Sequence, residues 1–260
     1  MNEQGDRLRL VTGTWRDDET DRVDYQVHIL GTESVDGDLP LISTLPNDSR
    51  PAEIGKPNES LYGVRFAGDR LYMVTFEIID PLYVIDLSDE TDPYIAGELE
   101  IPGFSDFLVP LSEDLLMGLG SQGSFLKMEL FNVSDISMPL SQDVHLFSEG
   151  VIQSRSSATY DRRAYTQLAI SDDELRVAIP LRVRTNTEYL NQLAQLEITD
   201  IQSPLLAAIN EVGRLATDSD SASFYGKPRT ILDGEAVFHI READVWTGFW
   251  GSSELVSSPE

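Results

Sequence analysis

Short hydrophobic runs alternate with turn-forming residues along the chain. In three places an alternating run ends in Ser/Thr-Asp-x-x-x-Pro: PLYVIDLSDETDP, MELFNVSDISMP and LAQLEITDIQSP. Polar Asp86, Asn132 and Glu197 each lie between two apolar neighbours, and this period of two is typical of a β-strand. The aspartate that follows favours a turn, and the proline cannot donate a hydrogen bond to a sheet. The pattern predicts three equivalent strands that end at equivalent turns.

A tight turn between two apolar runs is the second repeated feature. Such turns are AGDR at 67–70, SEDL at 112–115, SDDE at 171–174 and LDGE at 232–235, and they are typical of β-hairpins. The aspartates Asp89, Asp135 and Asp200 lie 46 and 65 residues apart. A repeat of this length, built from four short strands, indicates a β-propeller. We therefore predict an all-β fold, a single propeller domain over residues 1–260 with four-stranded antiparallel blades.

The repeats predict about five blades. Their expected bounds are 5–46, 60–101, 105–147, 160–215 and 229–256. The second blade is the most regular, with strands expected near 61–66, 71–76, 81–87 and 94–101. The interval between Asp135 and Asp200 is the longer one, and we interpret its segments 148–158 and 184–192 as loop insertions.

The first blade is expected to lack most of its innermost strand. The string GDRLRLVT at 5–12 returns as GDRLYMVT at 68–75, which sets Met1 opposite Val64, inside the apolar run that precedes the second turn. The last blade is expected to be incomplete at its end. We favour a chain that is part of a larger propeller; the alternative is that residues near 254–258 supply the missing strand and close a five-bladed ring.

Charge restricts the partners of this chain. The formal net charge is −26, and Lys56, Lys127 and Lys227 are its only lysines. Nucleic acids and anionic membranes are bound mainly by Lys and Arg, so neither is expected as a partner. An acidic surface poor in lysine suits high ionic strength, where self-repulsion is screened, and a salt-adapted source is one hypothesis. An ordinary acidic surface is the alternative.

Export is not encoded in the first residues of the chain. The first twenty lack the charged start and apolar stretch of a signal peptide, so an export signal is expected upstream of Met1 if the protein is exported. No apolar run approaches the roughly 20 residues that span a bilayer, and we expect no membrane insertion by this chain. The absence of cysteine excludes disulfides and thiol catalysis.

Residues 59–120, from ESLYGVRFAGDRLYMV to SEDLLMGLG, resemble the signature region of a family of secreted proteins with a C-terminal β-propeller domain, distantly related to WD-repeat proteins. The similarity continues through LFNVSDISMPL and ATYDRRAYTQLAISDDELRVAIPL and weakens after about residue 205. Family members from bacteria and archaea carry further blades upstream, and where Arg162 stands they usually have histidine. The resemblance implies an extracellular, periplasmic or cell-surface propeller with no established activity.

Motifs for catalysis and for metal binding are not found in the sequence. There is no nucleophile elbow, P-loop, dinucleotide fingerprint or zinc-protease motif. The glycine-rich GLGSQGS at 118–124 is interpreted as a hairpin loop. The histidines His28, His145 and His239 lack metal-ligand spacing and are expected to be strand side chains. No cofactor is expected; Ca²⁺ at the acidic segments 16–24 or 35–38 stays as an alternative to solvated turns.

The candidate ligand site is the rim where the chain enters the innermost strands. The residues expected there are Tyr62, Arg65, Ser105, Asp106, Tyr160, Asp161, Arg162, Arg163 and Arg229. Arginines at this rim could bind a carboxylate or a sugar acid through bidentate hydrogen bonds. The alternative is that Arg65, Asp161 and Arg162 make structural ion pairs between blades.

Two classes of function follow from these features. The leading hypothesis is a non-catalytic binding or interaction module, with a protein, polymeric or carbohydrate ligand. The alternative is a hydrolase or lyase that acts at the channel mouth with Tyr160, Asp161 and an arginine. Because propellers host both classes, the fold does not decide between them.

Overall fold

The computed structural model describes residues 1–15, 23–56, 59–76, 80–218 and 227–259, which form five antiparallel sheets in chain order. The first contains β1 (Asn2–Gln4), β2 (Arg7–Trp15), β3 (Val23–Gly31) and β4 (Leu41–Leu45). The second contains β5 (Ser60–Ala67), β6 (Arg70–Phe76), β7 (Asp80–Asp86) and β8 (Tyr94–Ile101). The third contains β9 (Phe104–Pro110), β10 (Leu115–Gln122), β11 (Phe125–Asn132) and β12 (Leu140–Leu146).

The fourth sheet differs from the others because two strands share its first position. It contains β13 (Gln153–Arg155), β14 (Thr166–Ala169), β15 (Glu174–Arg184), β16 (Tyr189–Thr199) and β17 (Ala208–Asp218). The fifth contains β18 (Arg229–Asp233), β19 (Ala236–Arg241), β20 (Asp244–Phe249) and β21 (Leu255–Ser257). Two 3-10 helices, Ser157–Thr159 and Arg162–Ala164, lie between β13 and β14. Among the described residues, no helix is long and apolar enough to cross a membrane.

The predicted all-β propeller architecture is confirmed. The first strand of the first sheet is short, as expected: β1 has three residues, which pair with β2, whereas β5 has eight. The fifth sheet was expected to be incomplete at its end and instead has four strands. The C-terminal strand pairs with β20 through Thr247 and Gly248, so it completes the fifth sheet and does not supply a strand to the first.

Insertions in the fourth sheet lengthen strands where loops were expected. Segment 184–192 belongs largely to a hairpin, because β15 runs to Arg184 and β16 starts at Tyr189, with a turn closed by the Thr185 amide and the Glu188 carbonyl. Segment 148–158 contains β13. Segment 118–124, GLGSQGS, which was expected to be a hairpin loop, is only partly a loop, because β10 continues to Gln122.

The core lies between successive sheets. In β6, Leu71 and Met73 pack with residues of the first sheet, whereas Tyr72 and Val74 pack with the third. Both faces of the strand are buried, which explains why its sequence is a continuous apolar run. Further clusters join the third sheet to the fourth and the fourth to the fifth.

Arginines on the second strands tie neighbouring sheets together at their turns. Arg9 Nη1 donates to the Gly68 carbonyl at 2.9 Å, and Arg176 Nη1 donates to the Gly234 carbonyl at 2.9 Å. Arg70 Nη1 donates to Glu113 O at 2.7 Å in the same way. Each acceptor lies in the first hairpin turn of the next sheet, so this contact joins one blade to the next.

Candidate functional site

Irregularities of the first strands gather at one end of the sheets. In β5, Leu61 pairs with Thr75 and Gly63 with Val74, which leaves Tyr62 as the extra residue of a β-bulge. In the third sheet Leu119 pairs with Phe107 and Gly120 with Ser105, so Asp106 is the bulged residue of β9. Bulges re-aim a side chain away from the regular ladder and are frequent beside binding sites.

The first strand of the fourth sheet is interrupted at the corresponding end. β13 pairs with the last residues of β15, from Arg182 to Arg184, whereas β14 pairs with residues near its start. The ten residues between β13 and β14 leave the sheet and carry both 3-10 helices. Ser156 fixes this insertion, because its Oγ donates to the Pro180 carbonyl at 2.5 Å and accepts from Ala158 N at 3.1 Å.

A cleft lies between the third sheet and the inserted segment. Its volume is about 460 Å³, within the range of roughly 300–1,000 Å³ that is common for ligand pockets. The lining residues are Phe104, Asp106, Ser121, Gly123, Ser124, Gln153, Ser154, Arg155, Ser156, Thr159 and Tyr160. The cleft therefore combines the start of β9, the β10–β11 turn, β13 and the first 3-10 helix. The structure brings two of the predicted residues, Asp106 and Tyr160, into this one site.

Asp106 is the most perturbed group of the cleft. Burial raises the pKa of its carboxyl to about 6. No described residue forms an ion pair or hydrogen bond with this carboxyl, and desolvation is the only cause of the shift. This half-buried carboxyl is therefore a candidate for contact with a ligand.

Two aromatic residues line the cleft together with Asp106. Tyr160, on the inserted segment, is 64% exposed. Phe104 lies at the start of β9, and its ring centroid lies 5.1 Å from that of Tyr62. Tyr62 therefore contacts a lining residue, Phe104, but does not itself line the cleft.

Asp161 and Arg229 form an ion pair between the fourth and fifth sheets. Arg229 Nη1 lies 2.9 Å from Asp161 Oδ2, and Asp161 Oδ1 accepts from Arg163 N at 3.1 Å as the N-cap of the second 3-10 helix. Burial opposes ionisation of Asp161, but these hydrogen bonds outweigh it and its pKa lies below the ordinary value. The geometry matches the structural pairing considered for Asp161, although the partner is Arg229.

The other predicted arginines are more dispersed. Arg162 is exposed, with its guanidinium carbon 5.9 Å from the centre of the Phe107 ring, and Arg163 is exposed on the same 3-10 helix. Arg65 is exposed on β5 opposite Tyr72 and forms no ion pair or hydrogen bond with the other candidate residues that the structure describes. None of these three arginines is among the residues that line the cleft.

Sequence reasoning missed Arg155, Gln153, Ser121 and Ser124. With its amide oxygen turned toward Arg155, Gln153 accepts from Nη2 at 2.9 Å and from Nε at 3.3 Å. Arg155 and Gln153 were hidden inside segment 148–158, which was interpreted as an ordinary loop. The two serines lie beside the β10–β11 turn, and their only signal was the glycine-rich sequence around them.

The histidines lie in β3, β12 and β19, as expected. His145 Nε2 is 2.8 Å from Glu211 Oε2, and burial lowers the pKa of His239 to about 4. No group of three or more His, Asp or Glu side chains that could hold a metal ion occurs in the described ranges. The Ca²⁺ candidate 35–38 is a tight turn between Val35 and Asp38, and most of segment 16–24 lies outside the described residues.

The five sheets follow one another along the chain, and each is built from consecutive antiparallel strands. This arrangement is that of a β-propeller. A sequence profile of the beta propeller domain family matches residues 1–250, and the chain belongs to this family.

Two curated relatives are archaeal, and both are described as uncharacterized. The chain is 37% identical over 146 residues to a protein of Methanocaldococcus jannaschii, a match that covers 55% of this chain and 21% of the relative. It is 40% identical over 92 residues to a protein of Archaeoglobus fulgidus, which covers 35% of this chain and 15% of the relative. The matches thus span about a fifth or less of these relatives.

A solved structure of a Lactobacillus plantarum protein aligns with 97% of this chain and 82% of its own, at 12% identity and a TM-score of 0.40.

Proposed function

We propose that this chain is a non-catalytic β-propeller module of an exported or cell-surface protein, and that it binds its ligand in the cleft between the third and fourth blades. The observation that carries the proposal is the convergence of a bulged carboxyl, Asp106, with the exposed ring of Tyr160 on a segment that departs from the blade repeat. Ala158 and Ala164 anchor this segment in the core, and the exposed residue Tyr160 between them lines the cleft; binding residues are often carried by such segments on a rigid scaffold.

The hydrogen bonds of Asp161 favour a binding module over an enzyme. Its carboxylate is held by Arg229 and by the backbone of the second 3-10 helix, so it is not available as a general base beside Tyr160. The location outside the cytoplasm is supported by the resemblance of residues 59–120 to secreted propeller proteins.

The experiment is a screen of the purified chain against immobilised oligosaccharides and peptides. We expect saturable binding to at least one probe that Tyr160→Ala weakens about tenfold or more, as the loss of one large aromatic contact would. An exposed aromatic residue of the fifth blade, Phe249, provides the control variant Phe249→Ala, which should bind as the wild type does. Binding that is insensitive to Tyr160 would contradict the cleft as the site.

A hydrolase or lyase remains the second candidate because of Asp106. A carboxyl with a pKa near 6 has the property of a general acid at neutral pH. Mass spectrometry of the probe after incubation separates the two functions. An unchanged probe supports binding alone, whereas cleavage that Asp106→Asn abolishes would establish the enzyme.

A further inference from the structure

We propose that the cleft ligand is an uncharged carbohydrate, whose ring stacks on Tyr160 while its hydroxyl groups are bound by Asp106, Ser121, Ser124 and Arg155. This inference rests on the proposed function, because it assigns a ligand class to the same cleft.

Charge is balanced in the cleft, unlike in the rest of the chain. The lining contains one carboxyl, Asp106, and one guanidinium, Arg155, whereas the chain as a whole carries a formal charge of −26. A polyanion would be repelled by the surrounding surface, and a polycation would find only one carboxylate in the lining. Electrostatic complementarity therefore favours an uncharged ligand.

Some polar groups of the cleft already form hydrogen bonds within the chain, and others form none with the described residues. Ser154 Oγ accepts from Leu126 N at 2.9 Å, and Thr159 Oγ1 donates to Ser156 O at 3.0 Å. The carboxyl of Asp106 and the hydroxyls of Ser121 and Ser124 form no hydrogen bond with any described residue. The open groups are thus mostly acceptors and hydroxyls.

A polyhydroxylated ligand is the natural complement of these groups. A carboxylate accepts several hydrogen bonds and donates none when ionised, so it requires a ligand that brings donors. Neighbouring sugar hydroxyls supply such donors and can also accept from serine. With the Gln153 amide oxygen turned toward Nε and Nη2 of Arg155, the guanidinium still has further N–H groups that can donate to a ring or hydroxyl oxygen.

The apolar part of the lining also suits a sugar ring. Tyr160 is a largely exposed aromatic residue, rigid compared with an aliphatic chain, and Phe104 is a second aromatic residue in the lining. Sugars present C–H groups on one ring face and hydroxyls around the edge. A lining that combines aromatic rings with polar groups therefore meets both parts.

The test uses one array that carries neutral, acidic and amino oligosaccharides together with peptides, followed by calorimetric titration of the best probe. We expect neutral oligosaccharides to be bound preferentially. Tyr160→Ala and Asp106→Asn should each weaken binding about tenfold or more, since one lost charge-assisted hydrogen bond or stacking contact corresponds to such a factor. Ser124→Ala, which removes only an exposed hydroxyl, should weaken it about two- to fivefold.

Matched controls and the melting temperature separate the outcomes. Phe249→Ala and Asp48→Asn remove an exposed ring and an exposed carboxylate outside the cleft, and both should bind as the wild type does. Preference for peptides or charged sugars, with Tyr160 still required, would overturn the carbohydrate assignment and leave the binding module intact. Absence of any cleft-dependent binding by variants that melt normally would overturn both.

Discussion

At the scale of single residues, two acidic side chains in the third blade, Glu129 and Asp106, differ in how they are paired. Glu129 is 1% exposed and lies 2.6 Å from Lys127 Nζ, which is itself 1% exposed. Its other oxygen accepts from Ser141 Oγ at 2.5 Å, and Lys127 also donates to Pro102 O at 2.7 Å. Within the described part of the chain, Asp106 has no such partner. The contrast separates a carboxylate that is paired in the interior from a carboxyl that lines the cleft.

Lys127→Ala should lower the free energy of unfolding by about 3–5 kcal/mol, because it leaves Glu129 buried without its cation. Urea denaturation at pH 7 measures the change. Lys227→Ala removes an exposed lysine and should change the stability by no more than about 0.5 kcal/mol. The double variant Lys127→Met/Glu129→Leu should recover most of the loss; equal losses for the single and double variants would contradict a coupled pair.

Asp106 should destabilise the fold as the pH rises. Its pKa of about 6 in the folded chain lies above the ordinary value near 3.9. The folded state therefore keeps the proton longer than the unfolded state, and stability is lost between about pH 4 and pH 6 and stays lower above that window. Asp106→Asn removes this loss. The free energy of unfolding of the variant minus that of the wild type should therefore be larger at pH 7.5 than at pH 4. Urea unfolding of both proteins at both pH values measures this difference, and the same difference at both pH values would contradict the raised pKa of Asp106.

At the scale of elements, close approach of β9 and β10 positions the bulge that carries Asp106. A Cβ at Gly120 would overlap the Phe104 carbonyl, and one at Gly118 would overlap Ser105 Oγ. Only glycine lets the two strands come this near. The glycines that resembled a loop in the sequence are thus the reason why the start of β9 can bulge.

Gly120→Ala should displace the start of β9 and lower stability by about 1–3 kcal/mol, the usual cost of overpacking. It should also weaken ligand binding, since Phe104 and Asp106 lie in the displaced segment. Gly5→Ala, at a turn with a φ of 59° where an added Cβ meets nothing within 4 Å, measures the cost of backbone strain without overpacking and should leave binding unchanged. Thermal melting and the binding titration measure both effects. Unchanged binding by Gly120→Ala would show that the bulge does not depend on this contact.

Elements with a local signal could be predicted, and those set by register could not. The hairpin turn at Gly68 and the aspartate turns follow from short sequences: Asp89 Oδ1 accepts from Thr91 N at 2.9 Å, and Asp135 Oδ1 from Ser137 N at 3.0 Å. The bulges at Tyr62 and Asp106 shift the pairing by one residue, which depends on the neighbouring strand. The same reason hid β13, because its three residues form a strand only against the long β15.

At the scale of the whole molecule, acidic charge surrounds a set of sheets held by buried apolar faces and by arginine contacts between blades. Forty-five acidic residues against nineteen basic ones leave strong self-repulsion at low ionic strength. Surface pairs such as Arg50 with Asp92, at 2.6 Å, are solvated and contribute little. Screening of like charges should therefore outweigh the loss of these pairs.

Stability should rise with salt. Increasing NaCl from 0.1 to 1 M shortens the Debye length from about 10 to about 3 Å, which removes most of the repulsion between surface carboxylates. We expect a higher melting temperature by calorimetry and the same trend with KCl. A melting temperature that stays constant or falls would contradict a surface adapted to salt.

The interrupted first strand of the fourth blade gives the inserted segment 156–165 fixed ends and an exposed middle. Because β15 pairs with β13 at one end and with β14 at the other, both ends are anchored in the sheet. Ala158 and Ala164 pack in the core between the third and fourth sheets, so these two positions must stay small and apolar. Tyr160, Arg162 and Arg163 are exposed between them. Substitutions at these three positions can therefore change the surface beside the cleft while the blades stay the same.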